Sequence, residues 1–451
     1  MATTTLTEGP LPAHIRSIAL PLSIGFFFNT MYNVVDSFYA GQVSTSALAA
    51  MALSFPVFFI ILALSEGVAR GTSALVAGAI GAKDDSKEQT LTVQVFSLGL
   101  IFAVAMTFVG LTAATPLFKL MGASGESLDV AVEYITPLFI GSSFFLLSSL
   151  SNAILLAHGD SKTFSKVLVI GFFLNLLFNP WFLYGGFGVP ALGIAGIAWA
   201  TVLIQALGGL FLFSTVLRRG YLSFGQLLKQ TPQLKIYGEI LRQGIPTSFS
   251  FMSIALGFFV TTYYLNTFGD VAVAAFGVGT RIEQIALLPA IGLGSAIVSI
   301  VGQNNGAGKM DRVQECVRLC VRYGFFLIIA ASLPMFLFAE QLVGVFTDDP
   351  AVIKTGARYA KIMAFIQWSY VVTFTYTGFL QAVKRPGYGF VESVIRKIIL
   401  PISIFYLLVT VMQVSLDTFW FGMVGINVVM AIVTVLYGRW TLKRLVAGTL
   451  S

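Results

Sequence analysis

Long apolar runs, each of about twenty residues or more, alternate with short polar segments along the whole chain. A helix of that length crosses the ~30 Å hydrocarbon core of a bilayer. Several runs are longer than this, which indicates tilted helices or helices that extend beyond the bilayer. The pattern predicts twelve spans, at 16–41, 47–79, 91–115, 131–156, 163–184, 192–217, 239–266, 272–304, 313–339, 355–382, 388–411 and 416–444. The fold class expected is an all-α polytopic membrane protein.

One carboxylate interrupts the apolar first span, on a stripe of polar side chains. Asn29, Tyr32, Asn33 and Asp36 follow the spacing i, i+3/i+4, i+7, so they share one helix face. An ionisable side chain at membrane depth costs several kcal/mol and is by default a functional-site hypothesis. Asp36 therefore predicts a proton or cation site that faces a cavity, with a structural hydrogen bond between helices as the alternative.

Later spans supply uncharged polar partners for this carboxylate. Asn175 and Asn179 are four residues apart on the fifth span, Asn152 lies on the fourth, and Thr201 lies on the sixth. Together with Asp36 they can surround a small polar cavity, in which amides either satisfy the carboxylate or present oxygens to Na⁺. Each asparagine taken alone is more typical of a hydrogen bond between helices.

The chain repeats itself at an offset of 225 residues over its first two spans. The matched pairs include Pro21 with Pro246, Ser23 with Ser248, and Gly67 with Gly292. A shift of six spans preserves orientation, so the repeats are parallel, and two pseudo-symmetric six-helix lobes around a central cleft are expected. The predicted domains are an N-terminal lobe at 1–220, a cytoplasmic linker at 221–238 and a C-terminal lobe at 239–451.

The two repeats differ in chemistry. At the same offset, the counterparts of Asn29, Asn33 and Asp36 are Ile254, Phe258 and Thr261. The buried polar cluster is therefore expected in the N-terminal lobe alone, as a dedicated site and not as general helix packing.

Two further sets of charged residues lie in the C-terminal repeat. Glu392 and Arg396 are four residues apart near one end of the eleventh span, and they are expected to form a solvated or interfacial pair. Arg281 and Glu283 are two apart on the eighth span and do not face each other on a helix. They are expected to find partners across helices or at the edge of a cavity.

Composition supports the membrane class and excludes others. Hydrophobic residues make up 57% of the chain and charged residues 10%, far below the roughly 25% charge of a soluble domain. The net charge of +7 falls in short loops, mostly on one side, so no nucleic-acid partner is expected and both termini are predicted in the cytoplasm. No catalytic constellation is visible at depth, so neither an enzyme nor a cofactor is expected.

Several segments together match a known pattern. They are Pro21 followed by Asp36-Ser37-Phe38-Tyr39-Ala40-Gly41, the run Gly71 to Val76, the fifth-span Asn175 and Asn179-Pro180, and the run Val301 to Gly308. With the two six-span repeats, these segments make the chain resemble the multidrug and toxic compound extrusion (MATE) transporters over essentially its whole length. The resemblance implies that the partners are the lipid bilayer, drugs and toxic organic cations, and H⁺ or Na⁺. The short loops indicate a bacterial inner-membrane protein, and a monomer is expected.

The resemblance also assigns roles to residues. It implies a cation-coupling site at Asp36, Asn175, Asn179 and Thr201, a substrate site at Asn29, Tyr32, Asn33 and Asn152, and a conformational role for Pro21. The implied function is cation-coupled antiport, in which protonation of Asp36 releases an amphipathic, mostly cationic compound. A Na⁺ ion at Asp36, Asn175 and Asn179 is the alternative coupling mode.

Within the family the chain is most similar to the DinF-like branch, whose coupling carboxylate lies in the first span. Some members carry a second Asp where this chain has Asn179, and its absence favours protons over Na⁺. The rival functions are a Na⁺-coupled drug antiporter and a flippase for lipid-linked sugars or lipids. A flippase needs a cationic cleft, whereas Arg70 and Arg281 are the basic residues recognised at membrane depth.

Overall fold

The computed structural model describes residues 5–186 and 188–449, apart from the side chains of Thr45, Ser46, Leu48, Ala49 and Leu228. Helices dominate the part of the chain that is described. The first eight are α1 Leu11–Val43, α2 Thr45–Gly81, α3 Asp85–Leu120, α4 Glu126–Ile140, α5 Ser142–Ala157, α6 Lys162–Tyr184, α7 Gly193–Arg218 and α8 Phe224–Lys229. The others are α9 Leu234–Leu265, α10 Asp270–Gly306, α11 Met310–Leu337, α12 Ala339–Gly344, α13 Pro350–Ala364, α14 Gln367–Ala382, α15 Gly387–Val394, α16 Leu400–Phe405 and α17 Leu416–Val446.

Most of the expected spans are present as apolar helices. Within the described residues, 10 spans are long and apolar enough to cross a membrane, and α4 with α5, bent by 46°, makes an eleventh. The expectation of one helix over 355–382 is wrong, because α13 ends at Ala364 and α14 begins at Gln367. Charged residues of α13 pair with neighbouring helices, Arg358 with Asp417 of α17 and Lys361 with Glu340 of α12.

The eleventh predicted span is also not a plain α-helix. Two π-helical turns, Ile395–Ile399 and Tyr406–Val411, flank α16. Pro401 has no N–H to donate to the carbonyl of Lys397, four residues earlier, and its ring crowds that carbonyl. The wider first turn accommodates this break.

The chain forms two compact units whose bounds differ from the expected lobes. The first unit is Ile24–Ser248. The second contains Phe249 onwards together with the described residues up to Ser23. Helices α1 and α9 are thus each divided between the units, and the division points, Ser23 and Ser248, are separated by the repeat offset of 225.

Close backbone contacts position the beginning of α9 within the first unit. A Cβ atom placed on Gly67 of α2 would lie 2.5 Å from the backbone nitrogen of Ser248, and one on Gly71 would lie 2.8 Å from that of Gly244. Apolar lipid supplies no hydrophobic drive for helix association, so membrane helices depend on close packing. Small residues such as glycine permit that close approach.

The second unit repeats the first of these contacts. A Cβ atom on Gly292 of α10 would lie 2.7 Å from the carbonyl oxygen of Ala19 and 2.5 Å from the hydroxyl of Ser23. Gly292 is the repeat equivalent of Gly67, and Ser23 is that of Ser248. The same glycine–serine contact therefore occurs in each unit.

Amide side chains also hold the segment before each of these two helices. In the second unit, the Leu6 N–H donates to Gln303 Oε1 (2.9 Å) and Asn304 Nδ2 donates to the Leu6 carbonyl (3.1 Å). In the first unit, Gln94 donates to the Thr231 carbonyl (2.9 Å) and accepts from the backbone N–H of Gln233 (3.0 Å). Leu6 and Thr231 are again 225 residues apart.

Each unit has its own apolar core. In the first, side chains of α2, α4, α5 and α7 surround residues such as Ile61, Ile135 and Ile197. The second contains a group of buried aromatic side chains, in which Tyr359 and Trp420 pack edge to face at 4.8 Å between ring centroids. These cores fix the helices that carry the polar sites.

Candidate functional site: a buried carboxylate held by amides

Asp36 is buried in the first unit with two amide donors on one of its oxygens. Its side chain is 7% exposed, and Asn175 and Asn179 are fully buried. Asn175 Nδ2 donates to Asp36 Oδ1 at 2.7 Å, and Asn179 Nδ2 donates to the same oxygen at 2.8 Å. The two asparagines are one turn apart on α6, so both reach the same point on α1. This arrangement satisfies a carboxylate that would otherwise be costly to bury.

The second carboxylate oxygen faces α7. Thr201 Oγ1 donates to Asp36 Oδ2 at 3.5 Å, the limit for a hydrogen bond, and the Tyr32 hydroxyl donates to Thr201 Oγ1 at 3.0 Å. Tyr32 lies one turn before Asp36 on α1 and is itself buried. Helices α1, α6 and α7 thus contribute to one network, in which Tyr32 is a neighbour of the carboxylate.

The network has unused acceptor atoms. Asn175 Oδ1 and Asn179 Oδ1 are buried and have no hydrogen-bond partner among the described residues. An amide that turns over replaces its donor with its acceptor. The two asparagines can therefore donate to an ionised Asp36, or present oxygens to a protonated Asp36 or to a bound cation. The described residues contain no group of three His, Cys, Asp or Glu side chains that could hold a metal ion.

Among the described residues, Asn29, Asn33 and Asn152 form no hydrogen bond with the carboxylate. Asn29 and Asn33 lie on α1 with exposed side chains, and Asn33 Nδ2 donates to the Asn29 carbonyl at 2.8 Å. Asn152 is half-buried on α5, and its Oδ1 atom has no hydrogen-bond partner among the described residues. Pro21 lies inside α1, in the part that belongs to the second unit.

The second unit also contains buried charges, so the expectation of a polar cluster in the N-terminal lobe alone is wrong. Glu392 and Arg396 are 2% and 9% exposed, not solvated as expected, and they pair at 2.5 Å. Arg396 NH1 also donates to Asn427 Oδ1 on α17, at 3.2 Å. Glu283 on α10 is 7% exposed, whereas its neighbour Arg281 is exposed. An asparagine in the apolar twelfth span was the sequence signal for this cluster.

These features define a class of protein: a polytopic helical membrane protein with an internal repeat and a buried carboxylate held by amides. The MatE family model matches residues 21–181 and 246–407, two segments whose starting points are 225 residues apart. The chain belongs to the MatE family.

The chain matches related proteins over most of their length. The chain is 26% identical to the probable multidrug resistance protein NorM of Thermotoga maritima, over 94% of this chain and 92% of that protein. It is 25% identical to the FAD transporter of Shewanella oneidensis, over 88% of this chain and 87% of that protein. The chain is thus similar to proteins whose names point to different cargoes.

Solved structures match the whole chain. One, described as the outward-facing conformation of a multidrug resistance MATE family transporter of the MOP superfamily, has a TM-score of 0.92 and 28% identity over 99% of both chains. Another, a MOP superfamily transporter from Pyrococcus furiosus described as having a binding pocket of reversed polarity, has a TM-score of 0.91 and 27% identity over 99% of both chains.

Proposed function

We propose that this chain is a proton-coupled multidrug efflux antiporter that exports amphipathic, mostly cationic organic compounds by alternating access. The observation that carries the proposal is the convergence of Asn175 and Asn179 on one oxygen of a buried Asp36. A carboxylate that is buried but supplied with adjustable partners can gain and lose a proton without unfolding the helices around it.

The proposed cycle turns on the charge of Asp36. When ionised, it accepts from both amides and its negative charge favours a cationic compound in the transport pathway. Protonation removes that charge and makes Oδ1 a weaker acceptor for the two amide N–H donors. The hydrogen bonds then rearrange, α1 shifts with Pro21 as its weak point, and the compound is released outside.

The energetics make stoichiometry important. One charge that crosses ~100 mV releases about 2.3 kcal/mol, which corresponds to roughly 50-fold accumulation. Exchange of one proton for one monovalent cation moves no net charge. With Asp36 alone, only the pH gradient would drive export.

The relatives support the drug-efflux assignment and leave the cargo to be tested. Names of related proteins specify multidrug resistance in one case and FAD in another. A buried carboxylate favours cationic cargo, because an anionic compound near Asp36 would be repelled. Ethidium and FAD are therefore the two probes that separate these cargoes.

Na⁺ is the second candidate for the coupling ion. The unpartnered amide oxygens of Asn175 and Asn179, with the carboxylate of Asp36, are hard oxygen ligands of the kind that Na⁺ accepts. We favour the proton because the set contains one carboxylate and two neutral amides. We also infer that the chain is a DinF-like monomer of the inner membrane with both termini in the cytoplasm. The single first-span acid supports the branch, and the loop charges support the position of the termini.

The decisive experiment measures transport in vesicles. Purified protein is reconstituted, and ethidium or FAD movement is followed under an imposed pH gradient and, separately, under an imposed Na⁺ gradient. We expect the pH gradient to drive ethidium transport by wild type and not by Asp36→Asn. The matched control is Asp129→Asn, which makes the same chemical change at an exposed residue of the same unit and should transport like wild type.

Other results would reject parts of the proposal. Transport driven by Na⁺ alone would replace the proton with Na⁺. Transport of FAD without ethidium would reject the cationic cargo. An Asp36→Asn variant with wild-type coupling would show that Asp36 is structural.

A further inference from the structure

The second unit contains an acidic group that the Asp36 site does not use. Glu283 on α10 is 7% exposed, and its Oε1 atom has no hydrogen-bond partner among the described residues. A buried carboxylate oxygen without a partner is costly while the group is ionised. The cost falls when a proton binds, because the group then carries no charge, and this makes Glu283 a candidate for proton exchange.

Titratable neighbours surround Glu283 from three elements. Tyr359 on α13 is a hydrogen-bonding neighbour of its carboxyl group, and Tyr370 on α14 and Lys397 in the first π turn lie within electrostatic reach. The tyrosines are uncharged near neutral pH, so Lys397 is the cation that can compensate an ionised Glu283.

The other charges nearby are already matched. Arg396 pairs with Glu392 at 2.5 Å and also donates to Asn427. These two opposite charges cancel, and both side chains are buried. They leave Glu283 and Lys397 as the acid and the base whose states can change together.

Glu283 and Lys397 do not form an ion pair in this structure. Within the described chain, neither takes part in a contact of 4.0 Å or less between oppositely charged groups, the distance that defines such a pair. Instead, Lys397 Nζ lies 5.8 Å from the centroid of the Tyr370 ring. The ammonium of Lys397 thus faces an aromatic ring, while the carboxyl of Glu283 has no ion-pair partner among the described residues.

The backbone gives Lys397 a means of movement. It lies in the π turn Ile395–Ile399, and its carbonyl has no N–H donor at Pro401. Single π turns inside helices occur frequently at functional sites. A shift in this turn would move the ammonium group between Tyr370 and Glu283.

We propose that Glu283 is a second proton-exchange residue of the transporter, with Lys397 as its counter-charge. Loss of the proton from Glu283 brings Lys397 into an ion pair with it, and proton uptake returns Lys397 to Tyr370. The inference rests on the proposed antiport function and extends it. One cycle then exchanges two protons, one at Asp36 and one at Glu283, for one monovalent cation.

Two protons against one monovalent cation carry one net charge across the membrane. An imposed potential of ~100 mV alone then supports roughly 50-fold accumulation of ethidium. With one proton per cation, the same potential supports none. The response to voltage therefore reports on Glu283.

The first test measures ethidium accumulation in proteoliposomes without a pH gradient, under an imposed potential. Wild type should respond to the potential. Glu283→Gln should lose this response and keep transport driven by a pH gradient. Glu340→Gln removes one exposed acid from the same unit and should behave like wild type. A voltage response in Glu283→Gln equal to that of wild type would overturn the inference.

The second test counts protons released when ethidium binds to protein in weakly buffered detergent. We expect two for wild type, one for Glu283→Gln, and two for Glu283→Asp, which keeps the carboxyl group. If Glu283→Gln does not fold, Lys397→Gln takes its place and should release one, because Glu283 then stays protonated.

The two proposals fail in different ways. Release of a single proton from wild type, lost in Asp36→Asn alone, would leave the proposed function standing and reject the role of Glu283. Release of no proton from wild type would reject the proton-coupled function itself, and with it this extension.

Discussion

The hydrogen-bond donors around Asp36 lie at different distances from its carboxylate, and these distances rank how strongly each donor stabilises it. Asn175 and Asn179 donate at 2.7 and 2.8 Å, whereas Thr201 donates at 3.5 Å. Hydrogen bonds to charged groups are shorter and stronger than those between neutral groups, and they weaken as the distance grows. The two amides therefore hold the ionised carboxylate, and Thr201 serves mainly to link it to Tyr32.

The first prediction concerns these donors. Asn175→Ala should lower the free energy of unfolding by about 1.5–3 kcal/mol at neutral pH, because it removes a hydrogen bond to a charged group. Thr201→Val should cost about 1 kcal/mol or less. Thermal unfolding of purified protein in detergent measures both. Asn152→Ala is the control, since no hydrogen bond connects it to Asp36. Equal losses for Asn175→Ala and Thr201→Val would contradict the ranking by distance.

The sequence predicted the members of this site better than its extent. Asn175 and Asn179 could be found because residues four apart share a helix face, and Asp36 because an acid stands out in an apolar span. Asn29 shares that face with Asp36 but lies two turns away, where its side chain is exposed. Two residues on the same face of α1 need not lie at the same level along the helix. Which of them meets the asparagines of α6 depends on how the two helices are aligned along their axes.

At the scale of helices, glycines decide how closely backbones approach. Gly292 on α10 faces Ala19 and Ser23 at distances that exclude a side chain. Gly277, on the same helix, has no atom within 4 Å of the position that a Cβ atom would take, and thus faces open space. Both glycines lie on α10, but only Gly292 occupies a position where a larger residue does not fit.

The second prediction uses this pair. Gly292→Ala should lower the free energy of unfolding by about 1–3 kcal/mol through overpacking. Gly277→Ala should leave it unchanged or raise it by up to about 1 kcal/mol, because alanine favours the helix more than glycine does. Thermal unfolding in detergent provides the measurement. A Gly292→Ala protein as stable as Gly277→Ala would show that the α1–α10 contact tolerates a methyl group.

Irregular helices were the part of the fold that hydrophobic patterns could not predict. The tenth predicted span separates into α13 and α14, and the eleventh contains π turns around α16. An apolar run has the same period whether its helix is straight, broken or widened. Where a cause is visible it is local: Pro401 has no N–H to donate to the carbonyl of Lys397.

At the scale of the whole molecule, the two repeats exchange the beginnings of their first helices, α1 and α9. The described residues up to Ser23 belong to the unit that contains the second repeat, and Leu234–Ser248 belong to the first unit. The offset of 225 predicted the duplication, and the family match begins at two points with the same separation. It did not predict the exchange, because a repeat shows which residues are equivalent and not which unit each one packs against.

The third prediction follows from the exchange. When residues 1–220 and 221–451 are produced as separate chains, each should fail to form a stable, monodisperse protein, because each unit needs the helix start carried by the other chain. Co-production should yield a complex that co-purifies through a tag on either chain and transports ethidium. Independent stability of each chain, measured by thermal unfolding in detergent, would contradict this.

The paired contacts of Gly67 with Ser248 and of Gly292 with Ser23 have an evolutionary consequence. An exchange of equivalent segments between equivalent units is the geometry of a domain-swapped dimer. A six-helix ancestor forming such a dimer would already have made both contacts, with identical residues, between two copies of one chain. Gene fusion would then have needed only a linker, and each half became free to change its charges, one around Asp36 and the other around Glu283.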